Sequence, residues 1–401
     1  MNITFANINN ALKTHYGPAA ANQVNTEASP IVSAVKTRTV GGEDYKFAAP
    51  FGVNGGAAFL ASDESLPDAG GQKYVRFTGK LCNLYGVVQF TDKAMRAASG
   101  ADAFFNVAKQ EFESLVSDLK IQLGRSIYGE KTGKLCTVKV AVSSSSTSIK
   151  VDSIDKLVEG QIIDINSGGS SNTVRNGSTI LRITSINTEA DGSGYYTVTL
   201  SGSVSSASVG DIVTIRGAYN NEMDGLNSLF GASEIYGVAT ASNQYLLPSS
   251  LTCESNSGID DEKIFKMLVK LSDRAGAETD MIVCGSDAYL AYAEYLKGIN
   301  KRIESNMELK GGWKGIGFNF NGRDIPMVMD RFCDKDTMMF LETKKMTMYQ
   351  MGDFEWMDYG DGSVIQRLDK KPIYQAAMSR YCQLVCEHPG GLGRITNCSG
   401  S

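Results

Sequence analysis

Histidine is nearly absent from this sequence, since His15 and His388 are the two histidines among 401 residues. The sequence therefore has too few histidines to favour a histidine-based nucleophilic triad or a histidine-rich metal site. Neither histidine lies near a catalytic motif, and we expect both to be structural or surface residues. The sequence accordingly predicts no catalytic residue, no cofactor-binding residue and no metal ligand, and we predict that the protein is not an enzyme.

Closely spaced cysteine pairs are also missing. The eight cysteines are scattered along the chain, and no Cys-x-x-Cys motif occurs. Cys382 and Cys386 share one face of a predicted strand, but no third or fourth ligand accompanies them. A buried strand face explains this spacing more simply; it would consist of Ala376, Met378, Arg380, Cys382, Leu384 and Cys386. A chain of this length can bury a core without disulfides, so we expect reduced, buried thiols.

No apolar run approaches the ~18 residues that a membrane-spanning helix requires. Residues 1–21 have neither the basic start nor the apolar core of a signal peptide. The 39 basic and 44 acidic side chains give a formal net charge of −5, the wrong sign for a protein that binds nucleic-acid phosphates over its whole surface. These features predict a soluble, cytoplasmic product without a membrane partner. A local basic patch on its surface is still compatible with the net charge.

The glycine-rich segments do not match phosphate-binding loops. Three residues separate Gly129 from Gly133, where a P-loop has four, and Leu135 stands where a serine or threonine would hold magnesium. This segment also follows a predicted helix rather than a strand. We interpret it as a helix stop and a domain junction.

The first ninety residues have the composition of an arm followed by a ribbon. Residues 1–40 are rich in Asn, Ala and Thr and bury too little apolar surface to fold alone, so we expect an arm that lies on a neighbouring subunit. Residues 41–90 contain two alternating stretches, Tyr45–Phe47 and Tyr74–Thr78, around a polar, glycine-rich middle. They predict a long two-stranded ribbon with a polar tip. Such a ribbon is marginal in water unless a partner covers it.

The strongest periodic signal lies between Asp102 and Tyr128. Apolar residues recur there in steps of three and four, which predicts one long amphipathic helix; they are Phe105, Ala108, Phe112, Leu115, Leu119, Leu123 and Ile127. At 1.5 Å per residue this helix would extend about 40 Å. Gly129 supplies its stop signal.

The composition changes abruptly at Lys134. Between Lys134 and Gly217 there is no Pro, Phe, Trp or His, and Ser, Thr, Val and Ile alternate in short runs. This pattern predicts a small all-β barrel or sandwich. Its six candidate strands are Cys136–Val142, Ser148–Val151, Gln161–Ile165, Ile180–Ile186, Tyr195–Leu200 and Ile212–Ile215.

The remainder predicts an α/β unit followed by long strands. Asp260 caps a helix whose apolar face would hold Ile264, Phe265, Leu268, Val269 and Leu271. Strand Met281–Cys284 leads into a helix that ends near Lys297, and Asn321-Gly322 predicts a hairpin turn between Phe318 and Ile325. Further predicted strands are Thr337–Thr343, Lys345–Gln350, Phe354–Met357 and Tyr374–Val385.

The order of these parts resembles the major capsid proteins of tailed phages, which have the Hong Kong 97 fold. Three stretches add to the resemblance, namely KYVRFTGKLCNLYGVVQFTDKAM, Asn220–Leu226, and FNFNGRDIPMVM followed by KKMTMYQMGDFEW. It covers about residues 1–133 and 218–398. The resemblance implies an α+β chain with these parts: an N-terminal arm (1–40), an extended β-ribbon loop (41–90), a long spine helix and the start of the peripheral domain (91–133), the peripheral-domain return (218–255), an axial α/β domain (256–345), and C-terminal strands and tail (346–401). Residues 134–217 interrupt this order and are expected to form an inserted small all-β barrel or sandwich domain.

The resemblance implies a structural role. A major capsid protein self-assembles into hexamers and pentamers of an icosahedral phage head around double-stranded DNA, which it contacts non-specifically and without a cofactor. It is located in the virion capsid, and in the host cytoplasm during assembly. Implied partners are a portal and a separate scaffolding protein, and a decoration protein is a further candidate. The crosslinking lysine of some family members is not transferred, because neither Lys46, Lys73 nor Lys80 matches it.

The ribbon tip carries the candidate subunit contacts. Asp63, Glu64 and Asp68 make it acidic, and Lys73 and Arg76 follow on the returning strand. We predict that these five residues lie at subunit contacts, because an acidic tip is useful where basic partners meet it, although a plain solvated loop has the same composition.

Two alternative functions stay open at this stage. One is an encapsulin-like compartment shell, and the other is a carbohydrate-binding or enzymatic β-rich protein. The predicted β-domain also has two possible roles: it stabilises or bridges capsomers, or it displays a ligand-binding surface.

Overall fold

The computed structural model describes residues 29–51, 56–62, 65, 67–68, 70–71, 73–92, 101–169, 172–255, 257–298, 307–308, 314–358, 360 and 363–399. Most of the predicted arm (1–40) lies outside the described residues, as do Asp63 and Glu64. From residue 29 onward the arm region contains a short helix and a strand.

Among the described residues the chain contains one long helix, four shorter helices and many strands. The helices are α1 (Pro30–Ala34), α2 (Ala101–Ile127), α3 (Leu226–Leu229), α4 (Asp261–Ala275) and α5 (Ser286–Gly298). The strands are β1 (Lys36–Thr39), β2 (Asp44–Phe51), β3 (Lys73–Lys80), β4 (Cys82–Thr91), β5 (Lys134–Thr137), β6 (Ser146–Val151), β7 (Ile162–Asn166), β8 (Leu181–Ile186), β9 (Tyr196–Val204), β10 (Ile212–Ile215), β11 (Glu234–Ile235), β12 (Val238–Ala239), β13 (Ser249–Thr252), β14 (Met281–Cys284), β15 (Met307–Glu308), β16 (Lys314–Phe320), β17 (Arg323–Met329), β18 (Thr337–Leu341), β19 (Met346–Gln350), β20 (Glu355–Trp356), β21 (Ile365–Arg367), β22 (Ile373–Cys386) and β23 (Gly393–Thr396).

The chain divides into two compact units. Among the described residues, the first unit contains Cys82–Ser228 and Trp356–Ser379. The second contains Ser29–Leu81, Leu229–Glu355 and the chain from Arg380 onward. Each unit is built from segments that are distant in sequence, so neither can form until long loops of the chain have closed.

In the first unit the long helix α2 packs on strand β4. Gly86 of β4 lies against the helix, and a Cβ there would lie 2.7 Å from Leu115 Cδ1 and 3.2 Å from Leu119 Cδ1. Phe112 of α2 contacts Phe90 and Trp356 edge to face, with ring centroids 5.7 Å and 5.2 Å apart. The predicted helix bounds, Asp102–Tyr128, differ from the observed ones by a single residue at each end.

Strands β5 to β10 form a separate six-stranded antiparallel sheet in the first unit, in the order β5-β10-β7-β8-β9-β6. A bridge between Val138 and Val151 joins the two ends of this order, so the sheet closes into a barrel. Inward-facing aliphatic side chains fill it, among them Ile163, Ile165 and Val198. Five of the six strands lie within four residues of their predicted bounds, whereas the first, predicted as Cys136–Val142, ends at Thr137.

A mixed seven-stranded sheet forms much of the second unit, in the order β13-β23-β18-β14-β17-β16-β15. Strand β14 lies near its centre and is fully buried, parallel to β17 and antiparallel to β18. The predicted hairpin turn is confirmed, because Asn321 and Gly322 both have positive φ, at 50° and 74°. Helices α4 and α5 contribute to the same hydrophobic core as this sheet.

The predicted apolar face of α4 is wrong in two positions. Ile264, Leu268 and Leu271 are buried as expected, and Met267 joins them. Phe265 and Val269 are instead exposed, because successive helix residues are rotated by about 100° and these two lie beyond the buried stripe. Phe265 still contacts Phe318 at the edge of the core, with ring centroids 5.2 Å apart.

All eight cysteines are free thiols, and seven of them are buried. Burial raises the pKa of the Cys386 thiol to about 12 and that of Cys284 well above its ordinary value. The strand face around Cys382 is buried as predicted, and it includes the guanidinium of Arg380. Gln350 accepts a hydrogen bond from Arg380 at 2.7 Å, and the guanidinium also lies over the Phe354 ring.

The corrected face of α4 gives a direct test with neighbouring residues. Leu268→Ala should lower the free energy of unfolding by about 2–5 kcal/mol, because Leu268 is buried in the core. Val269→Ala, on the exposed side, should change it by less than ~0.5 kcal/mol. Chemical denaturation of both variants measures the difference, and equal effects would contradict this placement of the helix.

Candidate assembly surfaces

The predicted ribbon is a two-stranded antiparallel ladder in the second unit. Strands β2 and β3 pair without a register shift, from Asp44 with Lys80 at the root to Phe51 with Lys73 at the outer end. Eight residue pairs at about 3.4 Å per residue give a ladder roughly 25 Å long. No other described strand pairs with β2 or β3. The ladder therefore depends on contacts at its root for its orientation.

Five aromatic rings anchor this root. Phe47 of β2 stacks on Phe77 of β3 with ring centroids 4.8 Å apart, and Tyr45 stacks on Tyr349 of β19 at 5.4 Å. Tyr236 meets Tyr45, Phe47 and Phe77 edge to face. Tyr45 and Phe77 are fully buried. Such ring pairs each add ~0.5–1.5 kcal/mol beyond the area they bury, so the cluster fixes the ribbon to the body of the second unit.

Backbone geometry around Tyr236 completes the anchor. The Tyr236 carbonyl accepts a hydrogen bond from the Thr78 amide at 2.9 Å, and the Cys386 amide donates to the Tyr236 hydroxyl at 3.0 Å. Gly79 makes room for the Tyr45 ring, since a Cβ at position 79 would lie 2.1 Å from the Tyr45 oxygen. A side chain at position 79 would therefore displace the ring on which the anchor depends.

Beyond the root, the ribbon exposes apolar side chains. Phe59 is fully exposed, and Leu60 and Tyr74 are 43% and 66% exposed. A side chain of this kind gains free energy when a partner removes it from water, by up to ~1.5–3 kcal/mol. Sequence reasoning placed the contacts at the charged residues and missed these three. The signal was present, because Phe59-Leu60 is an apolar pair in an otherwise small and polar segment.

The five predicted contact residues occupy different positions. Asp68 is exposed, and Arg76 is exposed on β3 opposite Ala48. Lys73 begins β3 opposite Phe51. Asp63 and Glu64 lie outside the described residues. Lys73 and Arg76 thus lie on the ladder and Asp68 lies in the segment that precedes β3, and the role of all five residues at subunit contacts stays a prediction.

A second candidate surface lies on the outward face of β4 in the first unit. Alternation turns Gly86, Val88 and Phe90 inward, and leaves Tyr85 and Val87 half-exposed on the other face. Gln89 on the same face donates to Gln375 of β22 at 2.9 Å. This part of the sheet therefore presents apolar and neutral polar groups to its surroundings.

The end of helix α2 is clasped to the turn that follows the barrel. Arg125 and Glu222 form an ion pair whose side chains are 5% and 11% exposed. Asn227 donates to the Tyr128 carbonyl at 2.8 Å. Gly225 packs so closely on the helix end that a Cβ there would lie 2.5 Å from the Ser126 carbonyl oxygen. Removing one member of a buried ion pair leaves an uncompensated charge, so this clasp is sensitive to substitution.

A cavity of about 660 Å³ opens beside the ribbon root. Arg38 of β1, Lys46 of β2 and Lys345 contribute positive charge to its lining, and Glu342, Glu387 and His388 line it as well. His388 and Glu342 are hydrogen bonded at 3.0 Å. Burial, and next the negative charge of Glu387, raise the pKa of the nearby Tyr349.

The described part of the chain holds no group of three His, Cys, Asp or Glu side chains arranged to bind a metal ion. None of the helices among the described residues is long and apolar enough to cross a membrane.

Comparisons with known proteins identify the fold through structure. No protein-family model matches the sequence, and no curated protein matches it significantly. Among solved structures, the chain is similar to the capsid asymmetric unit of cyanophage A-1(L), with a TM-score of 0.54 at 10% identity over 92% of this chain and 93% of that one.

Two further similar structures have lower scores. A structure from Gordonia phage Cozz gives a TM-score of 0.46 at 8% identity, over 91% of this chain and 85% of that one. The holo-SrpI encapsulin complex of Synechococcus elongatus gives 0.48 at 8% identity, over 92% and 86%. The fold assignment rests on the cyanophage protein.

The chain therefore has a mixed α+β capsid fold. The resemblance to tailed-phage capsid proteins is confirmed at the level of the fold, and the similarity extends over nearly the whole length of both chains.

Substitution of Phe77 tests the aromatic anchor of the ribbon. Phe77→Ala should lower the free energy of unfolding of the unassembled chain by about 3–5 kcal/mol, because the ring is fully buried. Tyr74→Ala, on the same strand but exposed, is the matched control and should have little effect. Urea denaturation measures both, and an unchanged midpoint for Phe77→Ala would show that the cluster does not hold the ribbon.

Proposed function

We propose that this chain is the major capsid protein of a tailed phage, a subunit that self-assembles into hexamers and pentamers of an icosahedral head around double-stranded DNA. The observation that carries the proposal is the capsid-type fold, shared over 92% of this chain and 93% of the cyanophage capsid chain. In a closed lattice each subunit repeats the same contacts, so modest individual contacts sum to a stable shell.

The ribbon supports this proposal. It is a long ladder with exposed apolar residues at and beyond its outer end, and an isolated two-stranded ribbon is marginal in water. A neighbouring subunit that covers Phe59, Leu60 and Tyr74 would remove these side chains from water. The five charged residues, Asp63, Glu64, Asp68, Lys73 and Arg76, would then lie at the rim of the same contact.

The net charge of −5 suits a container for DNA. A strongly basic inner wall would bind phosphates tightly and impede packing, whereas a nearly neutral wall permits non-specific contacts that are easily broken. The location that follows is the virion capsid, with the host cytoplasm during assembly. The portal, a scaffolding protein and a decoration protein are the partners that we propose from the family resemblance.

We assign residues 134–217 to an inserted domain. Two observations support this: the barrel has its own hydrophobic core, and its two ends lie side by side, where the Asn220 amide donates to the Thr132 carbonyl at 3.4 Å. An insertion whose ends adjoin can be added to a fold without separating the elements on either side. The arm, ribbon, spine-helix, peripheral and axial assignments with the boundaries given above belong to the same proposal.

Assembly of the purified chain tests the proposed function. Sedimentation velocity and negative-stain electron microscopy should show capsomers, tubes or shells, either for the chain alone or after co-expression with the gene products encoded beside it. A stable monomer under both conditions would contradict the proposal. Shells that enclose a cargo protein and exclude DNA would instead support the encapsulin-like alternative.

A matched pair of variants makes the assembly test specific to the ribbon. Phe59→Ser combined with Leu60→Ser should raise the concentration needed for assembly by roughly tenfold or more, because both side chains lose apolar area that a neighbour would cover. Val158→Ser, at a similarly exposed site in the barrel, is the control and should assemble like the parent.

Deletion of residues 134–217, with Gly133 joined to Ala218 through a short Gly-Ser linker, tests the insertion. The remainder should stay folded, because the barrel core is its own and the ends adjoin. Circular dichroism and thermal unfolding measure folding, and an unfolded product would overturn the assignment. If the deleted chain assembles normally, the barrel displays a surface; if it forms only unstable shells, the barrel bridges capsomers.

A further inference from the structure

The lining of the cavity beside the ribbon root has an excess of positive charge, with three cationic side chains against two carboxylates. Three cationic side chains line it, from Arg38, Lys46 and Lys345. All three are exposed, and none forms an ion pair with a described carboxylate. Arg38 instead lies over the Tyr349 ring, 5.7 Å from its centroid.

The two carboxylates in the lining have other partners. Glu342 is hydrogen bonded to His388 at 3.0 Å and is almost fully buried. Glu387 accepts a hydrogen bond from the Thr347 hydroxyl at 3.3 Å. The unpaired cations are therefore the groups left to recognise a ligand, and their chemistry favours an anion.

Because the lining contains both cations and carboxylates, it favours some kinds of anionic ligand over others. Glu342 and Glu387 would repel a dense polyanion such as a nucleic-acid backbone, which brings a negative charge with every phosphate. A short peptide with two or three carboxylates meets less repulsion, because it brings fewer negative charges and each carboxylate can pair with a lysine or arginine. A cavity of about 660 Å³ has room for a few such side chains.

The chain itself contains a matching segment. Asp63, Glu64 and Asp68 lie within six residues of one another in the segment between β2 and β3. Asp68 is exposed and forms no ion pair with a described residue of its own chain. The paired ladder continues from Lys46 to Phe51, so about 17 Å of strand separates Lys46 from the start of the segment that carries these acids. A second copy of the chain can bring its acidic segment to the cavity without this separation, because its ribbon is not joined to the same Lys46.

We propose that this cavity binds the acidic ribbon segment of a second copy of the chain, with Lys46 and Lys345 as the principal carboxylate ligands and Arg38 as the third. The inference rests on the proposed function, to which it adds the partner surface of the ribbon. In this proposal the carboxylates of Asp63, Glu64 and Asp68 bind the cations of a neighbouring subunit and do not simply remain in solvent.

A labelled peptide of residues 57–70 provides the direct probe. Fluorescence anisotropy should show that it binds the purified full chain, and that binding weakens with salt, as expected for exposed charge pairs. The same peptide with D63N, E64Q and D68N should bind at least roughly tenfold more weakly. Equal binding of the two peptides would overturn the proposal.

Variants of the cavity locate the site. Lys46→Gln combined with Lys345→Gln should weaken peptide binding by roughly tenfold or more. Lys344→Gln is the matched control, because it removes the same charge from the residue next to Lys345 but outside the cavity, and it should leave binding unchanged. Circular dichroism checks that each variant is folded. The doubly substituted chain binding like the parent would refute the assignment.

Charge reversal distinguishes this partner from others. Lys46→Glu with Lys345→Glu should recover binding to a peptide carrying D63K, E64K and D68K, which a merely structural role of the lysines would not produce. If a short DNA duplex or an unrelated acidic peptide binds the parent cavity as tightly as the ribbon peptide, the second copy is not the specific occupant. Normal shells from the Lys46→Gln, Lys345→Gln chain would refute this inference and leave the proposed function standing.

Discussion

The ribbon has no core of its own, so its position depends on the aromatic cluster at its root. Phe47 and Phe77 stack on each other, and Tyr45, Tyr236 and Tyr349 enclose them. This packing joins three distant parts of the chain, because Tyr236 follows the barrel and Tyr349 lies in β19. The outer ladder can then present Tyr74 in a defined direction, and the segment that carries Phe59 and Leu60 starts from strand ends whose position is fixed. A contact that is repeated throughout a lattice needs this kind of preorganisation, since an unanchored ribbon would lose conformational entropy at every contact.

A different constraint applies to the first unit, because the barrel follows directly after helix α2 in the chain. The clasp between Arg125 and Glu222 holds the end of α2 beside the turn that leaves the barrel, and Gly225 allows the two to touch. The chain therefore leaves the helix and returns to it at nearly the same point. Because the barrel core does not include α2 or β4, substitutions in the barrel core should change stability independently of substitutions in the packing of α2 on β4.

Local patterns predicted most elements of this fold, and tertiary partners account for what they missed. The steps of three and four residues located α2, and alternation located the barrel strands, because both periods follow from backbone geometry. The strand Lys36–Thr39 was not predicted, since its four residues are all exposed and it is a strand only because it pairs with β19. The exposed side of α4 was misjudged because helical period alone does not give the width of the buried stripe. The cationic cavity could not be predicted at all, because Arg38, Lys46 and Lys345 are brought together by the pairing of β1 with β19 and by the stacking of Tyr45 on Tyr349.

A cryo-electron microscopy reconstruction of assembled particles would show where the outer ribbon lies. We expect a closed icosahedral shell in which the ribbon of each subunit is fixed at its aromatic root and its outer part lies on a neighbouring subunit. Particles in which the outer ribbon contacts no neighbour, or a chain that forms no shell in the presence of its natural partners, would contradict this expectation.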